Sequence, residues 1–350
     1  MASIKVFSEE DGQKWEMLVK NSMHSDVHFL PGFMRVLGRH INATPHLFIY
    51  GSGKKYVLYP FFKRKTGFKE AGYVKDTYDT ISLWYYGGYI FCGKITPVFF
   101  NGFLEAFSAY CKKQGIVSEF CRLNPYLDYG NPLHAIGLRP SGNIVGIDLS
   151  KNLDEILGSF SGSARREINN SFRDHIEIVC GNSNELVDTF FNIYTLSMER
   201  KKAKPFYFFP KDFFLGLRDY FKENFILITA LKEGNILSSF LFLHENGIMY
   251  YMLSGRNNSK KIGLAVKRIV FEAVKLAKEK NARVLDLGGE YENGSLMAFK
   301  THFSKKLFLR QDYRKIHDLT AYNRLCTLAN LKMEELKYEN SRFFPEYRLQ

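Results

Sequence analysis

The segment from Ile248 to Phe303 decides the fold of this chain. It contains, in order, IMYYMLSG (248–255), NNSKKIGLA (257–265), LAVKRIVFEAVKLAKEK (264–280), ARVLDLGG (282–289) and SLMAFKTHF (295–303). This order predicts a strand, a basic turn that contains glycine, an amphipathic helix, a second strand and a short helix. Because the first backbone N–H groups of a helix have no partner within the helix, such a turn can hold an anion, including a pyrophosphate.

Length and charge set the limits of the interpretation. The chain has 350 residues, enough for two domains of about 150 residues each. Its formal charge of +13 suggests an anionic partner such as a nucleotide, a tRNA, the phosphates of acyl-CoA or an anionic membrane face. A lysine-rich proteome is the alternative explanation of that charge. Aromatic residues make up 16% of the chain, and we interpret them as core residues rather than as stacking platforms for bases.

Several classes of protein are disfavoured. The five cysteines are scattered without a CxxC pair, and the histidines form no HExxH motif, so we expect reduced thiols and no metal site. The N-terminal sequence MASIKVFSEEDGQKW lacks the apolar core of a secretion signal, and no apolar run reaches about 18 residues. These features predict a cytoplasmic protein that does not cross a membrane. We expect neither a permanently bound cofactor nor DNA binding.

The two halves of the chain show the same order of predicted elements: two helices, antiparallel strands, a helix and a further strand. We therefore predict an α/β (α+β) protein of two tandem units, each a mixed, mostly antiparallel sheet flanked by helices. The predicted boundaries are 1–150 for the first unit, 151–338 for the second and 339–350 for a C-terminal tail. Turns at Glu233-Gly234-Asn235 and Glu245-Asn246-Gly247 predict hairpins in the second unit.

This order of elements resembles the fold of the GNAT acyltransferases. The pyrophosphate loop of that family resembles Q/R-x-x-G-x-G/A, and KKIGLA (260–265) is similar to it, with lysine in the first place. The resemblance implies that the donor is bound by Lys260, Lys261, Gly263 and Ala265. Lysine is a poorer planar donor than arginine, so the turn departs from the family pattern at its first position.

Further segments resemble the Fem family of peptidoglycan bridge-forming aminoacyltransferases, which consist of two GNAT-like units. They are SARREINNSFRDHIEIVCG (163–181), TFFNIYTLSMERKKAKPF (189–206), ALKEGNILSSFLFLHENGIMYYMLSG (230–255) and VLDLGGEYENGSLMAFKTHF (284–303). EFCRLNP (119–125) is similar to a strand end in that family's first unit. The resemblance implies a degenerate first unit on the acceptor side and an acyltransferase second unit. Wider relatives are acetyltransferases of polysaccharide or amino-sugar pathways.

The resemblance implies a reaction as well as a fold. An acyl or aminoacyl group would pass from acyl-CoA or aminoacyl-tRNA to an amine of a cell-envelope precursor, either a peptidoglycan precursor or an amino sugar. No covalent enzyme intermediate is required, and the sequence contains no G-x-S-x-G motif. The implied partners are the donor, a phosphate-bearing envelope precursor and, as a peripheral contact, the inner membrane face. The alternative is a non-catalytic basic protein that binds RNA or a membrane surface.

The predicted catalytic residues are Lys300, Glu290, Asp286 and Tyr251, of which Asp286 and Glu290 flank the double glycine. Lys300, in the F-K-x-x-F ending, matches a family lysine that contacts substrate phosphate, and a fixed cation there can also stabilise an oxyanion. Glu290 is the predicted general base, and Asp286 is either a second base candidate or a structural carboxylate. Adjacent strand residues face opposite sides, so only one of Tyr250 and Tyr251 can face the substrate groove. We assign Tyr251 to the groove.

The predicted acceptor-binding residues all lie in the predicted second unit, 151–338. Lys204, which precedes a proline, lies near the position where the Fem family has an arginine that binds phosphates of the acceptor, and Tyr207 is its companion. Arg165 and Arg173 form part of a basic set before a strand and can contact phosphate. The alternatives are an exposed loop lysine and a solvated helix face.

Overall fold

The structure is a computed structural model that describes residues 2–68, 76–82, 86–130, 132–133, 136–289 and 294–349. The chain forms two compact units: unit 1 comprises Met1–Ser141 and Arg310–Gln350, and unit 2 comprises Gly142–Leu309. The boundary between Ser141 and Gly142 lies near the predicted boundary between residues 150 and 151. Residues 310–338 differ from the prediction, because they belong to unit 1 rather than to the second unit.

The elements of the described residues are as follows. The strands are β1 (Ser3–Phe7), β2 (Ala43–Ser52), β3 (Lys55–Lys65), β4 (Tyr78–Ile81), β5 (Ile90–Cys92), β6 (Ile116–Arg122), β7 (Arg139–Asp148), β8 (Glu177–Gly181), β9 (Phe225–Lys232), β10 (Asn235–Glu245), β11 (Ile248–Arg256), β12 (Val284–Gly289) and β13 (Leu307–Ile316). The α-helices are α1 (Gly12–Lys20), α2 (Pro31–His40), α3 (Pro97–Lys113), α4 (Leu153–Ser159), α5 (Gly162–Arg173), α6 (Asn184–Arg200), α7 (Lys211–Phe221), α8 (Ile262–Glu279), α9 (Gly294–Lys300) and α10 (Leu319–Leu328).

In unit 1 the strands follow the order β1-β2-β3-β4-β6-β13, and β5 pairs with β3. Only β4 and β6 are parallel among the described pairs of this unit, and α3 lies between them in sequence. The apolar face of α3 packs its rings on those of β3; the Phe107 and Tyr59 centroids, for example, are 5.0 Å apart. The aromatic residues of this region are therefore core residues, as expected from the composition.

The C-terminal segment is a packed part of unit 1 rather than a tail. Tyr347 is fully buried, and its hydroxyl lies 2.7 Å from Ser118 Oγ on β6. It also donates a 3.2 Å hydrogen bond to the carboxylate of Asp79 on β4, which is itself fully buried and paired with Arg64 and Arg348. Buried charge and aromatic area thus fix the end of the chain to the strands of unit 1.

In unit 2 the strands follow the order β7-β12-β11-β10-β9-β8. The hairpin turns are confirmed: Glu233-Gly234 joins β9 to β10 and Asn246-Gly247 joins β10 to β11, all with positive φ. Two consecutive residues with positive φ form the two-residue turn that matches the twist of a hairpin. The parallel pair is β11 and β12, and α8 connects them.

The α/β prediction of mixed, mostly antiparallel sheets flanked by helices is confirmed in both units. The apolar run ISLWYYGGYIF (81–91) predicts one strand, but the structure has β4 and β5 at its two ends, and residues 83–85 lie outside the described residues. The pattern of 320–337 predicts a helix, but α10 ends at Leu328. Strand β1 was not predicted. Among the described residues, no helix is both long and apolar enough to span a bilayer.

Candidate active site

The site is built on the end of β12, where it separates from β11. The two strands pair in parallel from Ile248↔Val284 to Tyr250↔Asp286, after which β11 continues to Arg256 without a described β12 partner. Asp286 is 1% exposed, and its carboxylate accepts a hydrogen bond from the backbone N–H of Gly288. Gly288 has a φ of +75°, a conformation that favours glycine. The strand end is therefore held by its own carboxylate and bends away from its neighbour.

Lys300 closes this strand end. It is the last residue of α9, it is only 4% exposed, and its Nζ donates a 3.0 Å hydrogen bond to the carbonyl oxygen of Gly289. The same Nζ would lie 3.1 Å from a Cβ atom placed on Gly288. The glycine thus provides the space in which the ammonium group stands. Lys300 and the carboxylate of Asp286 thus both contact the double glycine, Gly288-Gly289.

Glu290 and Tyr251 are the other two predicted catalytic residues. Glu290, the predicted base, lies outside the described residues. Tyr251 packs against the core cluster of unit 2, stacked on Phe240 at 4.7 Å, and its hydroxyl donates a 2.6 Å hydrogen bond to Ser254 Oγ. Burial raises the pKa of Tyr251. Tyr250 is the strand partner of Asp286, so it shares the face of that carboxylate, and Tyr251 faces the opposite side.

The predicted donor turn at the start of α8 faces two carboxylates, one on α5 and one on Asp174, the residue that follows α5. Lys260 is exposed, but Lys261 forms a 3.0 Å ion pair with Asp174, whose pKa is lowered chiefly by that lysine. A Cβ atom on Gly263 would lie 3.2 Å from Glu167 Oε2. Ala265 is fully buried, and its N–H donates to the carbonyl of Lys261. Its backbone is therefore engaged within the helix and does not face a ligand.

Glu167 is a residue that the sequence analysis did not single out. Its carboxylate lies 2.7 Å from Nζ of Lys267, which is 9% exposed and stands 5.9 Å from the ring of Phe299, one residue before Lys300. This ion pair joins α5 to α8 beside the candidate site. Its negative partner faces the glycine of the turn, and a negative charge at that position opposes a pyrophosphate. No sequence motif marks Glu167, because only the packing of α5 on α8 brings it to the turn.

The basic residues of α5 lie on a helix that is tied to the Lys300 segment. Ser161 caps α5, and its hydroxyl lies 2.9 Å from Nδ1 of His302, while its N–H donates to the His302 carbonyl. This arrangement gives His302 a structural role, because it holds the start of α5. Arg165 lies in the first turn of α5, near this anchor, and Arg173 lies in its last turn; both are exposed. The exposed side chain of Arg165 can thus meet a phosphate group near this anchor.

Lys204 and Tyr207 occupy a separate 3-10 turn, Pro205–Tyr207, that follows α6. Lys204 is exposed, and Tyr207 is 39% exposed. The turn is held by the Tyr194 hydroxyl, which donates a 2.7 Å hydrogen bond to the Tyr207 carbonyl. The Lys204 ammonium and the Tyr207 hydroxyl are therefore exposed at a fixed backbone position, and both groups can donate hydrogen bonds to an anionic ligand.

Comparison with known proteins agrees with this architecture. No protein-family model matches the chain. A UDP-N-acetylmuramoylpentapeptide-lysine N(6)-alanyltransferase from Weissella viridescens is 30% identical over 179 residues, which are 49% of this chain and 52% of that protein. The chain thus matches about half the length of this curated relative.

Two solved structures share the fold. The crystal structure of FemX superposes with a TM-score of 0.69 at 14% identity, covering 92% of this chain and 99% of that one. A tandem GNAT protein from the clavulanic acid biosynthesis pathway has a TM-score of 0.51 at 9% identity, covering 91% and 99% of the two chains. These likenesses establish that the two units form a tandem GNAT fold.

Proposed function

We propose that this chain is an aminoacyltransferase, because its fold resembles that of FemX and its sequence is 30% identical to an alanyltransferase over about half its length. It would transfer an aminoacyl group to an amine of a phosphate-bearing cell-envelope precursor. The observation that carries this proposal is the buried ammonium of Lys300 at the separated end of β12. A strand end that diverges from its neighbour leaves backbone groups and space for an acyl group between the two strands.

We propose a direct transfer. The amine nitrogen of the acceptor attacks the carbonyl carbon of the aminoacyl ester, the new C–N bond forms, and the C–O bond to the ribose oxygen breaks. The amine proton passes to that oxygen, which leaves as a hydroxyl. Lys300 is the group placed to stabilise negative charge as it develops, since its ammonium is fixed and removed from solvent. Arg165, Arg173, Lys204 and Tyr207 are proposed to bind phosphates of the donor or the acceptor.

We propose aminoacyl-tRNA rather than acyl-CoA as the donor. The turn that would hold the CoA pyrophosphate faces the carboxylate of Glu167, and its Lys261 is already paired with Asp174. The charge of +13 suits the long polyanionic donor instead. Since charged tRNA is a cytoplasmic molecule, we place the reaction in the cytoplasm.

The test uses the purified full chain with two donors in parallel. One reaction contains a bulk aminoacyl-tRNA pool labelled in the amino acid, the other contains labelled acetyl-CoA, and both contain UDP-N-acetylmuramoyl-pentapeptide. We expect label in the pentapeptide product from tRNA alone. Transfer from acetyl-CoA that rises in Glu167→Gln would overturn the donor assignment but keep the fold of the site. Absence of transfer from both donors would overturn the proposed activity.

A further inference from the structure

Unit 1 contains a cavity of about 540 Å³ that no step of the proposed reaction uses. Small-molecule sites are commonly clefts of about 300–1,000 Å³. It lies among α3, β6 and β13, and its lining includes Leu104, Glu105, Ser108, Glu119, Lys315 and His317. Every one of its lining residues belongs to unit 1. The cavity can therefore be considered within this unit alone.

The floor of the cavity is a hydrogen-bonded chain of three polar side chains. His317, which is 7% exposed, lies with Nδ1 3.1 Å from Ser108 Oγ and with Nε2 3.1 Å from Glu119 Oε2. A carboxylate only accepts, so Nε2 is the donor to Glu119. In the neutral imidazole Nδ1 then accepts from the Ser108 hydroxyl, which leaves the oxygen lone pairs of Ser108 for a ligand. The floor thus presents a fixed hydrogen-bond acceptor.

Glu119 is an unusual group for the floor of an open cavity. It is only 2% exposed, and its charge adds to burial in raising the pKa of Tyr59 and of Tyr313. A carboxylate is rarely buried in this way without a function or a firm structural partner. Here its hydrogen bond fixes the orientation of His317, and His317 in turn fixes Ser108.

The charged groups of the lining fall into two sets. Arg314 donates to the carbonyl of Ser341, Glu339 accepts from the N–H of Ile316, and Arg139 donates to Asn340, so these three are engaged with the protein. In contrast, Glu105 and Lys315 are exposed, and the described residues provide neither of them with a hydrogen bond or an ion pair. One negative and one positive group therefore remain available at the same cavity.

Their positions suit one kind of ligand. Glu105 and Ser108 are three residues apart on α3, so they are neighbours on one helix face. Lys315 is on β13, where it is the cross-strand partner of Glu119. Leu104 lines the cavity beside Glu105 and supplies apolar surface. The helix thus carries acceptors for an ammonium group, and the strand carries a donor for a carboxylate.

We propose that this cavity binds a small zwitterion with an apolar side chain, of the class of a free amino acid or a dipeptide. Its ammonium group contacts Glu105 and Ser108, its carboxylate contacts Lys315, and its side chain packs on Leu104 and Phe107. This site is separate from the function proposed for unit 2. It gives unit 1 a ligand of its own.

The test is titration calorimetry of the purified full chain with leucine, methionine, phenylalanine and alanyl-leucine. For the tightest of these we expect at least tenfold weaker binding when the carboxylate is esterified or the amine is acetylated. Lys315→Met and Glu105→Gln should each weaken binding at least tenfold. The matched controls are Lys5→Met and Glu10→Gln, which change exposed residues of unit 1 elsewhere and should leave the affinity unchanged.

Two results would overturn the proposal. One is the absence of binding by every member of the panel up to about 10 mM. The other is binding that Lys315→Met and Glu105→Gln leave unchanged, since the ligand would then lie elsewhere. Both variants alter exposed side chains, so their folding is not in question, and circular dichroism spectra of the variants check this. Neither result bears on aminoacyl transfer by unit 2.

Discussion

The parallel strand pairs of the two units end in different ways. In unit 2, β11 and β12 part after Tyr250↔Asp286, and the buried Lys300 stands at the strand end. In unit 1, the pairing of β4 and β6 is continued by backbone hydrogen bonds from Ser82 and Gly87 to the residues of β6. An isolated parallel bridge, Gly87↔Leu123, extends it further. The same strand, helix and strand crossover is thus open in one unit and closed in the other.

The N-termini of α3 in unit 1 and α8 in unit 2 also differ, because among the described residues a side chain caps only the first. Pro97 begins α3 without an N–H group, and the Thr96 hydroxyl accepts from the N–H of Phe99. At α8 the described structure shows no side-chain cap, and lysines precede the helix. If the open strand end of unit 2 holds the acyl group, as we propose, the closed strands of unit 1 have no equivalent space. The cavity beside α3 is the binding surface that we propose for unit 1 instead.

The largest expected effect concerns the open strand end. Lys300→Met should lower kcat/KM for aminoacyl transfer by about 10²–10³-fold, because it removes a fixed cation from a site of developing negative charge. The control is Lys305→Met, which changes an exposed lysine in the same segment. If Lys300→Met retained its activity, the reaction would take place elsewhere. The difference between the two strand ends would then not explain the activity.

The next effect concerns the closed strand end. Gly87→Val should lower the free energy of unfolding of unit 1 by about 3 kcal/mol, because a Cβ there would stand 2.3 Å from Cβ of Ser82. Amide hydrogen exchange should report the loss in β6 and not in β12. Gly158→Ala is the control, since a Cβ at that helical glycine meets nothing within 4 Å. Equal amide exchange of β6 in the wild type and in Gly87→Val would show that the backbone at Gly87 does not hold β4 and β6 together.

Acid should affect the two units alike. His46 in unit 1 and His244 in unit 2 both have a pKa lowered to about 4 from 6.5, mainly by burial and then by a nearby lysine. Since the unfolded chain binds the proton first, their contribution to stability is complete above pH 6.5 and is lost as the pH falls towards 4.

As the pH falls from 7 to 5, each histidine should therefore lower the free energy of unfolding by about 1–2 kcal/mol. Urea unfolding followed by amide exchange can assign the loss to each unit. His46→Gln should flatten the pH dependence in unit 1 alone, and His244→Gln in unit 2 alone. A slope that neither variant changes would mean that other groups cause the acid sensitivity.

The smallest effect compares the two helix starts. Thr96→Ala should cost about 1 kcal/mol, because the N–H of Phe99 loses its acceptor at a capped N-terminus. Lys261→Ala should change stability less, since its ion pair is exposed and screened. Urea midpoints at low and high salt would separate the two, because only the second effect should decrease with salt. A larger loss in Lys261→Ala would reverse our ordering.

Local chemistry explains what the sequence predicted. Glu233-Gly234 and Asn246-Gly247 form turns because their positive φ values need such residues, and the spacing of apolar residues in 264–280 defines α8. The double glycine that Lys300 contacts lies in the same short segment of the chain, 11 residues before it. These signals act over a few residues and are visible in the chain itself.

Contacts between distant segments explain what was missed. Ser108 and His317 are 209 residues apart, and no periodicity or motif links them. Glu167 reaches Gly263 only because α5 packs on α8. The sequence alone could not show which tyrosine of β11 shares a face with Asp286 of β12, because the strand register decides this.

The return of the C-terminal segment to unit 1 has a consequence for biosynthesis. Unit 2 is one continuous stretch, Gly142–Leu309, so all its strands and helices are available once that stretch has left the ribosome. Unit 1 needs β13 and the buried Tyr347, which are translated after unit 2 is finished. Nascent chains fold domain by domain in the order in which the domains are completed. Unit 2 can thus fold before unit 1, because residues 1–141 obtain their remaining strand and the buried Tyr347 only when residues 310–350 have been translated.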